Sequence, residues 1–357
     1  MTRALALAEH DLDDWAARYA AGEVPSRLPY GVDVLEECGI ALTGVGVPRG
    51  RVADKIRDVV EHRAGLPVAR AVLGVPAARR ADLVLALLER QGMLPGLLKG
   101  AHVPPYSRTP LVIWSCWLAD DLRTAGPDER RRLVNRVRSA DLITHLSRHE
   151  TEILVDAGLA EDRLFPVTYG VSHRYYTPGD DPRDLDLLAV GQDRGRDYAT
   201  LVEAVRGTSL TLDVVCRPEN LAGLDVPDNV RVHGPVPLTE YRALLRRAKV
   251  VAVPTRDLAY PTGSSVALES ASSGAAVVVT GTRAMADYFV DGMNARLVDE
   301  GDVDGWRSVL GELRDDPGQS ARLGAGARAN VVDRFNADHM WTELARVLRA
   351  RGIIPAE

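Results

Sequence analysis

The chain has few cysteines, few lysines and no long hydrophobic run. Its three cysteines, Cys38, Cys116 and Cys216, are far apart and form no Cys-x-x-Cys pair. This argues against a disulfide framework or a zinc site and predicts a reducing, cytoplasmic environment. No stretch approaches the ~20 apolar residues of a membrane span. The apolar run near Met1 is short and is broken by Glu9, so it predicts a first strand rather than a signal peptide.

Positive charge is carried almost entirely by arginine, because the 357 residues contain only three lysines, Lys55, Lys99 and Lys249. The net charge of −6 gives no bulk electrostatic reason to bind nucleic acid, so no nucleic-acid partner is predicted. Arginine nevertheless supplies forked donors that suit phosphate or carboxylate. No cluster of residues has metal-ligand spacing, so no metal cofactor is predicted.

Short apolar runs bounded by turn residues recur along the chain, separated by amphipathic segments such as "VADKIRDVVEHRAG". Strands that alternate with helices favour parallel α/β sheets. In the first half the runs are Ala4–Ala8, Ile40–Val45, Asp82–Leu87, Pro110–Ser115 and Asp141–Leu146. In the second half they are "LDLLAVG", "LTLDVVC", "NVRVHG", "VVAVPT", "AAVVVTG" and "ARLVDEGD". About twelve strands are too many for one such sheet, so the pattern predicts two similar α/β domains.

The domain boundary is predicted in a stretch rich in Pro, Gly and Asp between Pro166 and Asp184. We predict a first domain over 1–170, a linker over 171–184, a second domain over 185–335 and a C-terminal helix over 336–357 that packs back on the first domain. Parallel sheets bind ligands in crevices at the carboxyl ends of their strands. The loops that follow strands are therefore the candidate binding sites.

Two loops of the second domain carry residues suited to phosphate. The loop "VGQDRGRDY" follows a strand and contains Gly191, Arg194 and Arg196 ahead of a helix. The loop "PTGSSVALE" follows another strand, and its Gly263 permits close approach of the backbone to a ligand. A helix N-terminus presents N–H groups and partial positive charge to phosphate, and arginine adds charge-assisted hydrogen bonds.

Glu269 lies on the helix behind the second of these loops. We expect Ser264 or Ser265 to cap that helix, which places Glu269 about one turn inside it. A carboxylate offers two acceptor oxygens, which suits a vicinal diol such as a ribose. The helix dipole alone also explains a glutamate there, so both interpretations stay open from position alone.

The second half also carries several motifs of one enzyme family in order. They are "LLAVGQDRGRDYATLVEA", "NVRVHGPVPLTEYRALLRRAKVVAVPT", "SSVALESASSGAAVVVTGTRAMADYFVDGMNARLV" and "DRFNADHMW". From about Asp186 to Arg351 the chain resembles the nucleotide-binding half of the retaining glycosyltransferases of family 4 (glycosyl transferases group 1). The resemblance implies a GT-B fold, in which two Rossmann-like parallel-sheet domains face a central cleft. It also implies transfer of a sugar from a nucleotide-diphosphate sugar to an acceptor hydroxyl, with retention of configuration and without a metal.

The resemblance assigns roles to single positions. Glu269 stands where the family binds the donor ribose, and Arg196 stands where a lysine usually binds the diphosphate. Gln192 takes the place of the family's usual arginine, for which Arg194 would compensate, and Val236 lies where backbone groups contact the base. The implied donor-binding residues are Gly191, Arg194, Arg196, Val236, Gly263, Ser264, Ser265 and Glu269.

One position departs from the family's pattern. The first of two paired glutamates, which contacts the donor sugar in the family, falls at Pro261. Tyr260, Thr262, Ser264 or backbone amides are candidates to take over its role. The departure also fits a catalytically silent sugar-nucleotide-binding partner, and a nucleotide-sugar epimerase of similar shape is the alternative enzyme.

In the first domain, which resembles the family only loosely, Glu89 in "ALLERQG" and His102 in "KGAHVPPY" are the predicted catalytic candidates. Glu89 follows a strand, at the edge where cleft chemistry is expected. A simpler explanation exists for each: Glu89 is an acidic residue at the start of a helix, and His102 is a histidine in a loop. Trp117, Asp120 and Asp121 in "SCWLADDL" are further candidates for the chemistry, and Glu9, His10 and Asp11, at the end of the first strand, are candidates to face the acceptor.

The segment "DERRRLVNRVRSA" carries five arginines within one predicted helix. A basic helix can lie on anionic lipid. Acidic residues interrupt this run, so we favour a solvated helix face over peripheral membrane contact.

Overall fold

The chain folds into two compact α/β units. The computed structural model describes residues 1–48, 50–180 and 182–356. The first unit comprises Met1–Gly22, Ser26–Val167 and the residues from Met340 onward, and the second comprises Glu23–Pro25 and Thr168–His339. Each unit contains one six-stranded sheet. The prediction of two parallel α/β sheets is confirmed.

The sheet of the first unit has the strand order β2-β1-β3-β4-β5-β6. Its strands are β1 Thr2–Leu7, β2 Ile40–Thr43, β3 Leu83–Leu87, β4 Leu111–Trp114, β5 Leu142–His145 and β6 Leu164–Pro166. All pairs are parallel; Leu85, for example, lies opposite Ala6 and Val112. The first five strands overlap the predicted runs. The prediction missed β6, because three residues at the start of a Pro- and Gly-rich stretch show no periodicity.

Helices connect the strands of the first unit. They are α1 Leu12–Ala20, α2 Val34–Glu37, α3 Arg51–Ala64, α4 Ala69–Leu73, α5 Val75–Ala78, α6 Glu89–Gly100, α7 Leu118–Thr124, α8 Pro127–Val137 and α9 His149–Asp156, with 3₁₀ turns at Pro29–Gly31 and Glu161–Arg163. Because α6 begins two residues after β3 ends, its first residue, Glu89, lies at the carboxyl edge of the sheet.

The sheet of the second unit has the strand order β12-β11-β10-β7-β8-β9. Its strands are β7 Leu185–Val190, β8 Leu212–Val215, β9 Val230–His233, β10 Ala248–Val253, β11 Ala276–Thr280 and β12 Arg296–Val298. Each overlaps a predicted run. In the central pair, Leu187 of β7 lies opposite Val250 of β10. This pairing brings the loops that follow β7 and β10 side by side.

Among the described residues of the second unit, five helices and two 3₁₀ turns accompany the strands. They are α10 Tyr198–Val205, α11 Leu238–Arg247, α12 Ser264–Ser272, α13 Val303–Asp315 and α14 Pro317–Asp333, with turns at Pro218–Leu221 and Ala284–Asp287. A last helix, α15, spans Ala337–Ala350, and from Met340 onward it belongs to the first unit. There Trp341 is fully buried and its indole N–H donates to the Tyr30 carbonyl at 2.8 Å. Across the described ranges, no helix combines the length and the apolar character needed to cross a membrane.

Residues of the predicted linker, 171–184, pack into the second unit. Val171 and Tyr176 are buried in a hydrophobic core that also contains Leu245 and Ala271. Asp181 lies outside the described residues. The aromatic side chains of this stretch supply apolar area, which outweighs the Pro, Gly and Asp content on which the linker prediction rested.

Candidate functional site

Arg196 is a buried cation in the loop after β7. The residue is 8% exposed, and an isolated antiparallel bridge joins it to Thr255, two residues beyond the end of β10. The next N–H, of Asp197, donates to the Pro254 carbonyl at 3.1 Å. Two guanidinium nitrogens, Nε and Nη1, are buried and have no hydrogen-bond partner among the described residues. A buried charge that lacks partners costs folding free energy, so this arrangement indicates an anionic ligand.

Two glycines enclose the Arg196 guanidinium. A Cβ at Gly191 would lie 2.1 Å from Arg196 Nε, and a Cβ at Gly263 would lie 2.3 Å from Arg196 Nη1. Both glycines have positive φ angles, 148° and 85°, which side-chain-bearing residues seldom adopt. Any larger residue at either position would displace the guanidinium. We call Gly191, Arg196 and Gly263 the arginine cradle.

The cradle adjoins the N-terminus of α12. Gly263 is the N-cap residue of this helix and has no side-chain cap, so the predicted cap by Ser264 or Ser265 is wrong. Gly263 has a left-handed backbone conformation and the helix begins at the next residue, so both serines lie inside the helix and not at its cap position. The first helical hydrogen bond runs from Ala267 N–H to the Gly263 carbonyl, which leaves the N–H groups of Ser265 and Val266 ahead of it. Helix N–H groups and a guanidinium therefore lie together, as a phosphate site requires.

Asp193, three residues ahead of Arg196, is held by the segment around Pro261. The Tyr260 hydroxyl donates to both carboxylate oxygens, at 2.8 and 2.9 Å. Thr262 Oγ1 donates to Asp193 Oδ1 at 2.9 Å. The two neighbours of Pro261 thus fix a carboxylate next to the position where the resembled family has its first paired glutamate. Sequence reasoning missed Asp193, because it lies 67 residues from Tyr260 in the chain.

Glu269 lies in the interior of α12 and is held by tyrosines. The Tyr241 hydroxyl donates to Glu269 Oε2 at 2.7 Å. The Tyr176 ring packs edge-to-face on the Tyr241 ring at 6.1 Å between centroids. Burial raises the pKa of Glu269 to about 7, and the hydroxyls of Tyr241 and Tyr176 oppose that shift. Neither tyrosine was a sequence candidate, since one lies on α11 and the other in the predicted linker.

The remaining donor-side candidates lie at the periphery of this constellation. Arg194 and Gln192 are exposed on the loop after β7, and the Gln192 carbonyl accepts a hydrogen bond from Asn220 Nδ2 at 3.4 Å. Val236 follows β9 and packs, half-buried, against the core that contains Tyr241. The second unit thus brings Gly191, Arg196 and Gly263 into contact and places Glu269 on the helix that leaves them.

In the first unit, Glu89 is almost completely buried at the start of α6. Its Oε2 accepts from Ser115 Oγ at 3.1 Å and from the Cys116 N–H at 3.0 Å. Burial raises the pKa of Glu89, against the effect of these hydrogen bonds. These contacts hold the segment that follows β4.

The structure does not bring His102 and Glu89 together. His102 is exposed and follows the C-terminal end of α6, whereas Glu89 begins that helix. Twelve helical residues separate their positions by about 18 Å, and His102 therefore lies toward the opposite edge of the sheet. The segment "KGAHVPPY", which carries His102, follows a helix and not a strand, and the catalytic roles of both residues stay predictions.

A second buried acid, Glu150, was missed by sequence reasoning. Its Oε1 accepts from the N–H groups of Leu146 and Ser147 at 3.0 and 2.9 Å, just beyond β5. Burial raises the pKa of Glu150. Burial also raises the pKa of the Cys116 thiol, and the negative charges of Glu89 and Glu150 raise it further because they disfavour the thiolate. A glutamate in the second position of a helix gives no sequence signal of burial.

The other acids considered in the first unit have structural contacts. Asp11 Oδ1 accepts from the N–H groups of Asp13 and Asp14 and so caps α1. Asp120 is buried and pairs with Arg123 at 2.9 Å.

A family model described as glycosyl transferases group 1 matches residues 187–316. The match includes Arg196, Gly263 and Glu269. The matched segment belongs to this family. The match confirms the resemblance predicted from the motifs of the second half. It does not include Glu89 or Glu150, which lie before residue 187.

Two curated relatives are similar to part of the chain. MMP alpha-(1->4)-mannosyltransferase of Mycolicibacterium hassiacum is 28% identical over 219 residues, which are 57% of this chain and 52% of the relative. A D-inositol 3-phosphate glycosyltransferase of Xylanimonas cellulosilytica is 39% identical over 123 residues, 34% of this chain and 28% of the relative. The chain thus spans about half of the first relative and less of the second.

Solved structures match over nearly the whole chain. Anabaena HepE in complex with UDP-glucose has a TM-score of 0.69 at 15% identity and covers 98% of this chain and 100% of its own. Sucrose-phosphate synthase from Thermosynechococcus elongatus has a TM-score of 0.71 at 14% identity, with 98% of each chain covered. At such identity the likeness shows the fold alone. That fold is GT-B, as the group 1 resemblance implied.

Proposed function

We propose that the protein is a glycosyltransferase that moves a sugar from a nucleoside diphosphate sugar to an acceptor hydroxyl. The second unit binds the donor in this proposal. Retention of configuration and independence of a metal follow from the family resemblance and are part of the proposal. A cytoplasmic location stays a prediction from the cysteine content.

The observation that carries the proposal is the arginine cradle. Arg196 holds a buried guanidinium with two unpaired nitrogens, beside the first turn of α12. A nucleoside diphosphate that leaves a sugar gains negative charge on its terminal phosphate. Fixed donors aimed at that charge lower the barrier, because they need no reorganisation when the charge develops. Ser264 and Ser265 add hydroxyl groups at the same helix start.

Glu269 is the proposed ribose ligand. Tyr241 donates to its Oε2, and a ribose diol would donate to acceptor sites that remain on the carboxylate. The family match supports this assignment, since it covers Glu269. HepE was solved with UDP-glucose, which makes a uridine nucleotide the first donor to test.

Asp193 is the proposed contact to the donor sugar. It supplies a carboxylate next to Pro261, where Tyr260 and Thr262 hold it in place. The catalytic role predicted for Glu89 stays a prediction, and its contacts support positioning of the segment after β4. The first unit remains the proposed acceptor side.

Calorimetric titration with UDP, GDP, ADP and dTDP, in EDTA and again in Mg²⁺, tests the donor site. We expect selective binding of one nucleotide with equal affinity in both buffers. Binding that requires Mg²⁺ would contradict the metal-independent mechanism, and no binding of any nucleotide would overturn the donor assignment.

Pro261 is the one observation that favours a second candidate, a silent sugar-nucleotide-binding partner. The matching nucleotide sugars, incubated with and without a broad set of acceptors, separate the two. Transfer in the presence of an acceptor supports the enzyme. Donor binding without any turnover supports the silent partner, and donor isomerisation without acceptor would identify an epimerase.

A further inference from the structure

A second basic pocket lies in the second unit, away from the arginine cradle. Its volume is about 480 Å³, within the usual range for small-molecule sites. The lining combines four cationic side chains with apolar ones such as Pro178 and Leu313. The cations are Arg183, Lys249, Arg314 and Arg328.

The pocket and the cradle are at opposite ends of the same elements. Lys249 is the second residue of β10, whereas Thr255, the bridge partner of Arg196, lies two residues beyond the last residue of β10. Six steps of extended chain span about 20 Å. Helix α12 likewise begins next to Gly263 of the cradle and ends shortly before Gly274, which lines the pocket. The pocket is therefore a separate site.

Two of the four cations have a carboxylate partner. Lys249 Nζ lies 2.7 Å from Asp186 Oδ1, and Arg314 pairs with Asp315. These two positive charges are therefore compensated within the protein.

Among the described residues, the side chains of Arg183 and Arg328 donate hydrogen bonds only to carbonyl groups. Arg183 Nη2 donates to the Ser273 carbonyl at 2.8 Å and Nη1 to the Leu245 carbonyl at 3.4 Å. Arg328 Nη1 donates to the carbonyls of Ser272 and Tyr176. Burial lowers the pKa of both guanidinium groups, as expected for positive charges that no anion compensates.

Helix capping explains part of this arrangement. The carbonyls of Ser272 and Ser273 end α12, and arginine at a helix C-terminus is favourable. Each guanidinium has five N–H donors, however, and the carbonyl contacts use only some of them. Capping also gives no reason for an open, partly apolar pocket beside two such arginines.

We propose that this pocket binds a phosphate monoester that carries an apolar group, as a second anion site distinct from the donor site. A phosphate monoester has a charge of about −1.5 to −2 near neutral pH, which matches the two uncompensated guanidinium groups. Their planar forks pair with phosphate oxygens in bidentate geometry. Pro178 and Leu313 supply apolar surface for the rest of the ligand.

Calorimetry with phenyl phosphate as the probe tests this proposal on the full chain. We expect saturable binding to the unmodified protein, weakened at least tenfold in Arg328→Met and less strongly in Arg328→Lys, which keeps the charge but loses the planar fork. Arg322→Met is the matched control, because Arg322 is exposed on the same helix and is not among the residues that line the pocket. Equal binding to Arg328→Met and the unmodified protein would overturn the proposal, as would a lack of saturable binding.

A second variant protects the test against a folding defect. Ala325 is exposed on α14 and lines the pocket, so Ala325→Glu adds a negative charge without disturbing the core. It should abolish phenyl phosphate binding while thermal unfolding stays unchanged, and retained binding contradicts the proposal. Arg196→Met should leave phenyl phosphate binding intact. Loss of binding in Arg196→Met would mean that the probe occupies the donor site and that no second site exists.

Discussion

The Tyr241 hydroxyl donates a 2.7 Å hydrogen bond to Oε2 of Glu269. This contact joins α11 to α12 and fixes the carboxylate that we assign to the ribose. Because Tyr241 is almost completely buried, the carboxylate keeps one oxygen engaged before any ligand binds.

Glu269→Gln should change how stability depends on pH. The pKa of Glu269 in the folded protein is about 7, above its usual 4.5. Protonation of Glu269 therefore stabilises the folded state fully below pH 4.5, and this contribution is lost as pH rises through 7. The shift in pKa corresponds to roughly 3 kcal/mol of unfolding free energy.

Urea unfolding at several pH values measures this contribution. The unfolding free energy should fall less between pH 4.5 and 7.5 in Glu269→Gln than in the unmodified protein. Glu300→Gln, at an exposed position, is the control, and an unchanged slope in Glu269→Gln contradicts the raised pKa.

Glu269→Ala should weaken binding of a ribonucleoside diphosphate. The lost hydrogen bonds to a charged group are worth about 1.5–3 kcal/mol. A 2′-deoxy analogue lacks one of the two hydroxyls, so its affinity should fall less. Calorimetry with both nucleotides checks this, after circular dichroism confirms that the variant is folded. An equal loss for both would count against a contact to the ribose diol.

Gly263→Ala should weaken nucleotide binding more than tenfold by displacing Arg196. The new Cβ would lie 2.3 Å from Arg196 Nη1 and 2.6 Å from Val253 Cγ1. Gly207→Ala is the matched control, because Gly207 also has a positive φ, 70°, but no atom within 4 Å of its added Cβ. Both variants incur a backbone strain of about 1–2 kcal/mol. Only Gly263→Ala should also lose nucleotide affinity by more than tenfold, and similar affinities in the two variants would refute the cradle.

Arg196→Met should reduce nucleotide affinity at least tenfold without destabilising the fold. The substitution removes a buried charge that has no counter-charge among the described residues, and apolar replacements of buried charges are often neutral or stabilising. Chemical unfolding and calorimetry measured on the same sample separate the two effects. A large loss of stability would show that Arg196 holds the structure together and would weaken its assignment as a phosphate ligand.

The sequence predicted the framework well, because parallel strands buried on both faces appear as continuous apolar runs. Strands β1 to β5 and β7 to β12 overlap those runs, and the loops after β7 and β10 follow from them. The prediction missed strand β6 because its three residues are too few to show an apolar run. The serine cap was wrong because Gly263 adopts a left-handed conformation, which the residue type permits but does not dictate.

Long-range contacts explain what the sequence could not show of the site. Asp193 becomes a candidate only when Tyr260 and Thr262 are seen to hold it. Tyr176 lies in the predicted linker, and only its ring contact with Tyr241 shows that it belongs to the site. Such pairings depend on how distant segments meet in space, and no local pattern of residues records them.

The close fit of two glycines around Arg196 couples the residue types that positions 191, 196 and 263 can hold. A lysine at position 196 would relieve the overlap with an added Cβ, because its end group is slimmer than a guanidinium. The positive φ angles at positions 191 and 263 would still favour glycine there. Alanine at either position is therefore opposed twice in this chain, by the backbone conformation and by the arginine side chain.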